Sequence, residues 1–137
     1  MAGIMNLTQH AASPEQQAAG VIDLPDAARD LLVRLLTFED LPKAADIEVR
    51  AEAIARLATD LWREWEAGRA PAQTHLSRCV MIGGAPYLMS ALERALALQG
   101  FKAIYAFSRR ESADEVLPDG SVRKISVFRH AGFVEVA

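Results

Sequence analysis

Cysteine and histidine, the residues that most often cross-link or metallate small domains, are scarce in this sequence. Its 137 residues include one cysteine, Cys79, and three histidines that lie far apart. A single cysteine excludes an internal disulfide framework, and the histidine spacing matches no standard zinc-ligand pattern. We therefore expect a protein of a reducing compartment that needs no metal and no cofactor.

Long apolar runs and a strong charge of one sign are also absent. No apolar segment approaches the roughly 18 residues of a membrane-spanning helix, and the first residues lack the basic and then apolar pattern of a secretion signal. The formal net charge is −3 with 24% charged residues, which disfavours general binding to duplex nucleic acid. We expect a cytoplasmic protein with no membrane partner.

The apolar content suits one compact core. Apolar residues make up 51% of the 137 residues, and a chain of this length can bury the core of one domain. We therefore predict a single domain over residues 1–137.

Strand and helix signals alternate along the chain. The clearest helix start is Ser13-Pro14-Glu15-Gln16, where Ser13 can cap the helix and Gln16 completes a capping box. Gly20 can end this short helix. Further segments with predicted regular structure are strands at 4–8, 21–25, 79–82 and 103–107, helices at 26–36 and 87–99, and one or two antiparallel strands over 122–136 with a break near Gly132.

Residues 44–67 carry the clearest helical pattern. Apolar residues recur there at alternating spacings of four and three, which places them in one stripe: Ile47, Ala51, Ile54, Ala58, Leu61 and Trp65. The alanines in the stripe suit close packing on a sheet, and the heptad-like spacing leaves a coiled coil as the alternative. Residues 68–74 are predicted to form a loop.

A strand, a glycine turn, a helix and a second strand follow one another between Cys79 and Phe107. Such a unit implies two parallel strands joined by a right-handed crossover. Pro118-Asp119-Gly120 then predicts a tight turn before the last strands. The predicted fold class is α/β, with a Rossmann-like, mostly parallel sheet flanked by helices and a C-terminal antiparallel hairpin.

Three polar clusters come at the ends of predicted strands: Thr8-Gln9-His10, Gly83-Gly84 and Ser108-Arg109-Arg110-Glu111-Ser112. Ligands of open α/β sheets bind beyond the carboxyl ends of the strands, so we expect the clusters to share one cleft. Backbone amides at a helix N-terminus favour phosphate, and arginine forks grip phosphate oxygens. His10 can act as an acid or base near neutral pH.

Each cluster also has a purely structural interpretation. Two glycines can simply make a tight turn between a strand and a helix, and a histidine after a strand is often a hydrogen-bonding structural residue. Arg109 and Arg110 can be exposed side chains paired with Glu111 or Asp114. The residues alone leave these alternatives open.

The stretch Asn6-Leu7-Thr8-Gln9-His10, followed by Ser13-Pro14-Glu15-Gln16 and a break at Gly20-Val21, resembles the start of small CRISPR-associated proteins of type III systems. These proteins have single-domain, Rossmann-like folds related to the CARF domain. The glycine turn at 83–86 and the strand that precedes Ser108-Arg109-Arg110 are similar to the place where that group holds its ligand loop. The resemblance covers the order of elements over most of the chain and does not cover residues 36–75.

The resemblance implies a nucleotide-binding protein of antiviral defence. In that group the ligand is a cyclic oligoadenylate bound across a homodimer, and some members cleave it as metal-independent ring nucleases. On this hypothesis the catalytic candidates are His10, Thr8 and Arg109, and the ligand-binding candidates are Gln9, Gly83, Gly84, Ala85, Ser108 and Arg110. Two alternatives stay open: a non-enzymatic adaptor that oligomerises or docks a partner through the helix at 44–67, and a small enzyme acting on a nucleotide or sugar phosphate.

Overall fold

A computed structural model describes residues 2–68 and 75–136 of the chain. In chain order the elements are β1 (Gly3–Leu7), α1 (Pro14–Ala18), β2 (Val21–Ile22), α2 (Asp26–Leu36), α3 (Ala44–Gly68), β3 (Leu76–Ile82), α4 (Pro86–Leu98), β4 (Lys102–Val116) and β5 (Val122–Glu135). The loop predicted at 68–74 begins with the last residue of α3 and otherwise lies outside the described residues.

The five strands form one mixed sheet in the order β2-β1-β3-β4-β5. The first four strands run parallel, and β5 runs antiparallel to β4. The predicted α/β class and the C-terminal antiparallel hairpin are therefore confirmed. Because β1 and β3 are neighbours with the same direction, their carboxyl ends lie at one edge of the sheet, and β4 passes beside that edge.

The short helix α1 begins as its sequence predicts. The Ser13 hydroxyl accepts a hydrogen bond from the Gln16 amide at 3.1 Å, and the Gln16 side-chain oxygen accepts one from the Ser13 amide at 3.1 Å. These two bonds satisfy amides that a helix start would otherwise leave unpaired. The capping box is therefore present, and it fixes where the chain turns after β1.

The apolar stripe of α3 packs into the core. Ala51, Ile54 and Ala58 are fully buried, and Ile47, Leu61 and Trp65 pack against the same cluster. The packed-helix interpretation is therefore confirmed. The stripe is used within the chain, so it does not form a coiled-coil seam.

Apolar residues are buried on both faces of the sheet. The larger cluster joins β1 and β3 to α2, α3 and α4, and includes Leu7, Val80 and Leu92. A smaller cluster on the other face holds Met81 and Ile104, together with Ala12 and Val21. Side chains alternate between the two faces along a strand, so those of Val80 and Met81 point to opposite faces of β3.

The prediction for the last third of the chain is wrong in one respect, because β4 does not end at Phe107. It continues to Val116 and pairs with β5 along this length. Ser108, Arg109 and Arg110 therefore lie within a strand rather than in a loop beyond it. The break predicted near Gly132 corresponds to a shift of register between Phe107 and Ser108, opposite Gly132 with φ +147, which is typical of a β-bulge.

Within residues 2–68 and 75–136, no helix combines the length and apolar character that crossing a membrane requires.

Candidate functional site

A cleft of about 510 Å³ opens at the carboxyl ends of β1 and β3. Two of the three predicted polar clusters meet in it, and its walls are Thr8, Gln9, His10, Ala11, Gln16, Met81, Ile82, Gly83, Gly84, Tyr105 and Ala106. The presence of Met81 and of Gln16 from α1 places the cleft toward the face of the sheet that α1 covers. The predicted meeting of the β1 and β3 ends is therefore confirmed.

Asn6 fixes the loop that forms one wall of the cleft. This side chain, at the end of β1, is only 4% exposed. Its amide oxygen accepts hydrogen bonds from the Thr8 backbone amide at 2.9 Å and from the Thr8 hydroxyl at 2.7 Å, and its amide nitrogen donates to the His10 carbonyl at 2.9 Å. A buried polar side chain is stable only when it is hydrogen-bonded in this way.

Asp23, which follows β2, completes the same network. Its Oδ1 accepts hydrogen bonds from Asn6 Nδ2 at 2.8 Å and from the Ala12 backbone amide at 3.0 Å. The loop is therefore held at one end by Asn6 of β1 and at the other by Asp23, which follows β2. No sequence motif indicates the roles of Asn6 and Asp23; the one available signal is a polar residue, Asn6, inside the apolar run at 4–7.

The hydrogen-bond network limits what Thr8 can offer to a ligand. The Thr8 hydroxyl has the Asn6 amide oxygen at 2.7 Å and the His10 carbonyl oxygen at 3.2 Å. Both neighbours are acceptors, so the hydroxyl hydrogen is used within the loop. Toward the cleft Thr8 can accept a hydrogen bond and orient a bound group.

Gln9 and His10 are the exposed members of this wall. The Gln9 side-chain nitrogen lies 3.5 Å from His10 Nε2, at the outer limit of hydrogen-bond distance. His10 belongs to the cleft lining and keeps its side chain accessible. It is therefore placed where it can exchange a proton with a bound molecule.

The opposite wall is the turn between β3 and α4. Gly84 has φ +152, a conformation that side chains rarely adopt, and a Cβ there would lie 3.5 Å from Met89 Cε. Ala85 is the N-cap of α4, where no side chain caps the helix, and Pro86 occupies the first turn. The positive end of the α4 dipole is thus free of a capping group beside the cleft. Ala85 itself is not in the cleft lining.

The third predicted cluster continues along β4 away from the cleft. Ala106 lines the cleft, and because side chains alternate along a strand, Ser108 and Arg110 share its face while Arg109 takes the other. At roughly 3.3 Å per residue, the Cα atoms of Ala106 and Arg110 are about 13 Å apart. Arg110 therefore lies on the face of the sheet that α1 covers, toward which the cleft opens, while Arg109 shares the opposite face with Tyr105, and neither arginine lines the cleft.

The structural interpretation of the two arginines receives no support from their contacts. Glu111 pairs with Arg129, whose Nε lies 3.0 Å from Glu111 Oε2. Among the residues that the structure describes, no ion pair involves Arg109, Arg110 or Asp114. Both arginines are exposed.

Tyr105 connects the β4 side of the cleft to α4. Its hydroxyl donates to Glu93 Oε2 at 2.5 Å. Partial burial, followed by this hydrogen bond and the charge of the Glu93 carboxylate, raises the pKa of the Tyr105 phenol above its ordinary value. The phenol is therefore a fixed structural contact between β4 and α4 at neutral pH.

A larger cleft of about 730 Å³ lies at the connection between α2 and α3. Its lining includes three acidic side chains, Glu39, Asp40 and Asp46. Arg50, which also lines it, donates to the carbonyl oxygens of Arg34, Leu35 and Thr37 at 3.2, 3.0 and 2.7 Å. One guanidinium nitrogen of Arg50 is occupied by the end of α2, and the three acidic side chains outnumber the two arginines of the lining, Arg34 and Arg50. This cleft therefore suits a phosphate less well than the sheet edge does.

The fold and the cleft define a small α/β protein with a polar site at the carboxyl edge of its parallel strands. A family model described as the uncharacterized protein MJ1673 family matches residues 2–134. The chain therefore belongs to the MJ1673 family. No curated protein and no solved structure matches it.

Proposed function

We propose that the chain binds a phosphorylated nucleotide in the cleft between the β1 and β3 ends. The observation that carries the proposal is the convergence of Thr8-Gln9-His10 with Gly83-Gly84 around one cleft of about 510 Å³. Clefts of this size hold small organic ligands, and in parallel α/β sheets they occur at this edge. We also propose that the fold is Rossmann-like, which the order β2-β1-β3-β4 of the parallel strands supports.

Phosphate takes the Gly83-Gly84 side of the cleft in this proposal. The absence of side chains at these two positions lets an anion approach the backbone, and the uncapped start of α4 adds a favourable dipole. Arg110 supplies the cationic contact, because it shares the face of Ala106. Ser108 and Gln9 provide further polar contacts for the sugar or base.

The ligand class that we propose is a cyclic oligoadenylate, on the resemblance of residues 6–21 to type III CRISPR-associated proteins. The same resemblance adds a homodimer to the proposal. The two alternatives differ in ligand: a small enzyme would act on a mononucleotide or sugar phosphate in the same cleft, and an adaptor would bind none. Because the α3 stripe is buried, an adaptor would need another surface.

Slow cleavage of the ligand extends the proposal. The ribose 2′-oxygen forms a bond to the adjacent phosphorus as the bond from phosphorus to the 5′-oxygen breaks, which leaves a 2′,3′-cyclic phosphate. His10 takes the proton of the 2′-hydroxyl, and water gives a proton to the leaving 5′-oxygen. Thr8 accepts a hydrogen bond that orients the ribose, and Arg110 stabilises the negative charge that develops on the phosphate.

A thermal-shift panel tests binding. The panel contains mononucleotides, a sugar phosphate and cyclic oligoadenylates of several ring sizes. A ligand present at about 100 times its dissociation constant stabilises the fold by roughly 2.7 kcal/mol, so the proposal predicts a higher melting temperature with a cyclic oligoadenylate. A shift with mononucleotides alone would favour the small enzyme, and no shift with any compound would favour the adaptor.

Chromatography of the products separates binding from cleavage. Under the proposal, a stabilising cyclic oligoadenylate is converted to linear products with 2′,3′-cyclic phosphate ends in the presence of a metal chelator. His10→Asn should keep the thermal shift and lose the products. Binding with no products from the wild-type chain would leave a receptor rather than a nuclease.

A further inference from the structure

The distal part of the β4–β5 hairpin extends beyond the packed body of the protein. The two described core clusters contain no residue between 106 and 132, and none of the residues in that interval is buried. Both strands nevertheless pair continuously from Ser108 to Val116 and from Val122 to His130. An isolated two-stranded hairpin is at best marginally stable in water. Because no core cluster of the described residues covers this segment, it needs a further surface to pack against.

The two faces of the distal hairpin differ in how well the chain covers them. On one face Glu111 pairs with Arg129 and Glu115 pairs with Arg123, at 3.0 and 2.8 Å. Their neighbours Ile125 and Val127 are half-buried there. This face is partly closed by its own side chains.

The other face, which we call the open face, is exposed in all of its residues from Ser108 to Val116 and from Val122 to Phe128. Its apolar members are unusually accessible for large side chains, with Val116 at 72%, Val122 at 59% and Phe128 at 71%. Asp114 and Lys124 lie opposite each other on this face and take part in no ion pair among the described residues. The open face therefore combines unburied apolar groups with unused charges.

Between Arg110 and Val116 the pairing register divides the open face into four successive rows. From the body toward the turn these rows are Arg110 with Phe128, Ser112 with Ser126, Asp114 with Lys124, and Val116 with Val122. The outer rows hold three apolar side chains together with Arg110, and the two inner rows contain hydroxyl groups and then opposite charges. The face is thus complementary to itself when its direction is reversed.

We propose that the open face docks on the open face of a second copy of this chain, with the two hairpins antiparallel. A two-fold axis between the second and third rows places Phe128 over Val122 of the second copy. It also places the Ser112 hydroxyl against Asp114 of the second copy, and the Ser126 hydroxyl against Lys124 of the second copy. The interface is isologous, as a two-fold dimer requires.

The serines favour this arrangement over random contact. Their small side chains let the two ribbons approach closely at the centre, while their hydroxyls satisfy the charges that each hairpin leaves unpaired. The arrangement brings the turn of the second copy, residues 117–121, toward the edge where the cleft opens. This inference rests on the homodimer of the proposed function and names the surface through which the dimer forms. The packing of the two hairpins is the same whichever ligand binds.

The size of the surface sets the conditions of the test. Nine residues at roughly 3.3 Å each, on two strands about 4.8 Å apart, give a face of about 30 by 10 Å, or about 300 Å², which is well below the roughly 800 Å² per partner of a standard interface. We therefore expect a weak dimer, to be measured by sedimentation equilibrium over about 10 to 300 µM. The expected mass rises toward twice the 14.9 kDa of one chain.

Matched variants locate the interface. Phe128→Lys, at an exposed position, should raise the dimer dissociation constant at least tenfold and leave the circular dichroism spectrum unchanged. Leu98→Lys replaces an even more accessible apolar side chain, 87% exposed at the end of α4, and should leave the dimer intact. A monomeric wild-type chain at the highest concentration, or equal dimers for Phe128→Lys and the wild type, would overturn the proposal.

Disulfide cross-linking tests the direction of packing in a Cys79→Ala background. Val122→Cys and Phe128→Cys chains should form a covalent heterodimer when they are mixed and oxidised, and each alone should cross-link far less. Cross-linking of each variant with itself, without a gain on mixing, would contradict the antiparallel register. Nucleotide binding is read separately by thermal shift, so a failed dimer and a failed ligand site give different results.

Discussion

Asn6 and Asp23 join the ends of β1 and β2, because Asn6 Nδ2 donates to Asp23 Oδ1 at 2.8 Å. The same Asn6 side chain holds Thr8 and His10, and the same Asp23 oxygen holds the Ala12 amide. Two side chains 17 residues apart in sequence thus shape the loop that carries three of the candidate site residues.

The Asn6→Ala variant should lose both stability and the cleft wall. Removal of the amide leaves the partly buried Thr8 amide without a partner and leaves the Asp23 carboxylate with only the Ala12 amide, which we expect to cost about 2–4 kcal/mol. Urea denaturation measures this loss. Gln9→Ala, at an exposed neighbouring position, serves as the control and should change the free energy of unfolding by less than about 0.5 kcal/mol. Equal effects of the two variants would contradict the role of the network.

Arg50 should stabilise the fold through the end of α2. One of its guanidinium nitrogens contacts three carbonyl oxygens at 2.7 to 3.2 Å, and its guanidinium carbon lies 4.6 Å from the centre of the Phe38 ring. A cation at a helix C-terminus is favourable, so Arg50→Ala should cost about 2 kcal/mol in urea denaturation. Arg56→Ala, on the same helix and exposed, should cost less than about 0.5 kcal/mol.

Tyr105 should make stability depend on pH in the alkaline range. The pKa of its phenol is raised in the folded state by burial and by Glu93, so the unfolded chain loses this proton first. The corresponding stabilisation is present below about pH 10, the ordinary tyrosine value, and is lost as pH rises above it. Melting temperatures between pH 8 and 12 should fall less steeply in Tyr105→Phe than in the wild type. Tyr87→Phe should keep the wild-type slope.

Arg110 and Arg109 should contribute unequally to nucleotide binding. Arg110 shares the face of Ala106, which lines the cleft, and Arg109 lies on the other face. Arg110→Ala should weaken a bound phosphorylated ligand at least tenfold, which corresponds to about 1.4 kcal/mol, and Arg109→Ala should weaken it less than threefold. Titration calorimetry at two salt concentrations measures both. The reverse order would move the site to the other face of β4.

Helix positions were predictable from sequence because their signals are local. Ser13 and Gln16 form their capping box within four residues, and the α3 stripe recurs along one segment. The end of β4 was not predictable in this way. Beyond Phe107 no residue of the strand is buried in the core, so its sequence shows no regular alternation of apolar and polar types, and only pairing with β5 makes the segment a strand.

The candidate site was predictable in part for the same reason. Thr8, His10 and Gly83 each follow an apolar run, and parallel strand order brings such positions together. The contact of Asn6 with Asp23 depends on β1 and β2 being neighbours, and no short-range pattern indicates it. The face taken by each arginine depends on how far β4 continues, which local composition did not indicate.

The most direct test of the central claim is an NMR titration of the ¹⁵N-labelled chain with the nucleotide that gives the largest thermal shift. The proposal predicts that the backbone amide signals of Thr8, Gln9, His10, Gly83 and Gly84 move together and saturate with one dissociation constant. The claim would be contradicted if none of these signals moved, or if the changes were confined to the connection between α2 and α3.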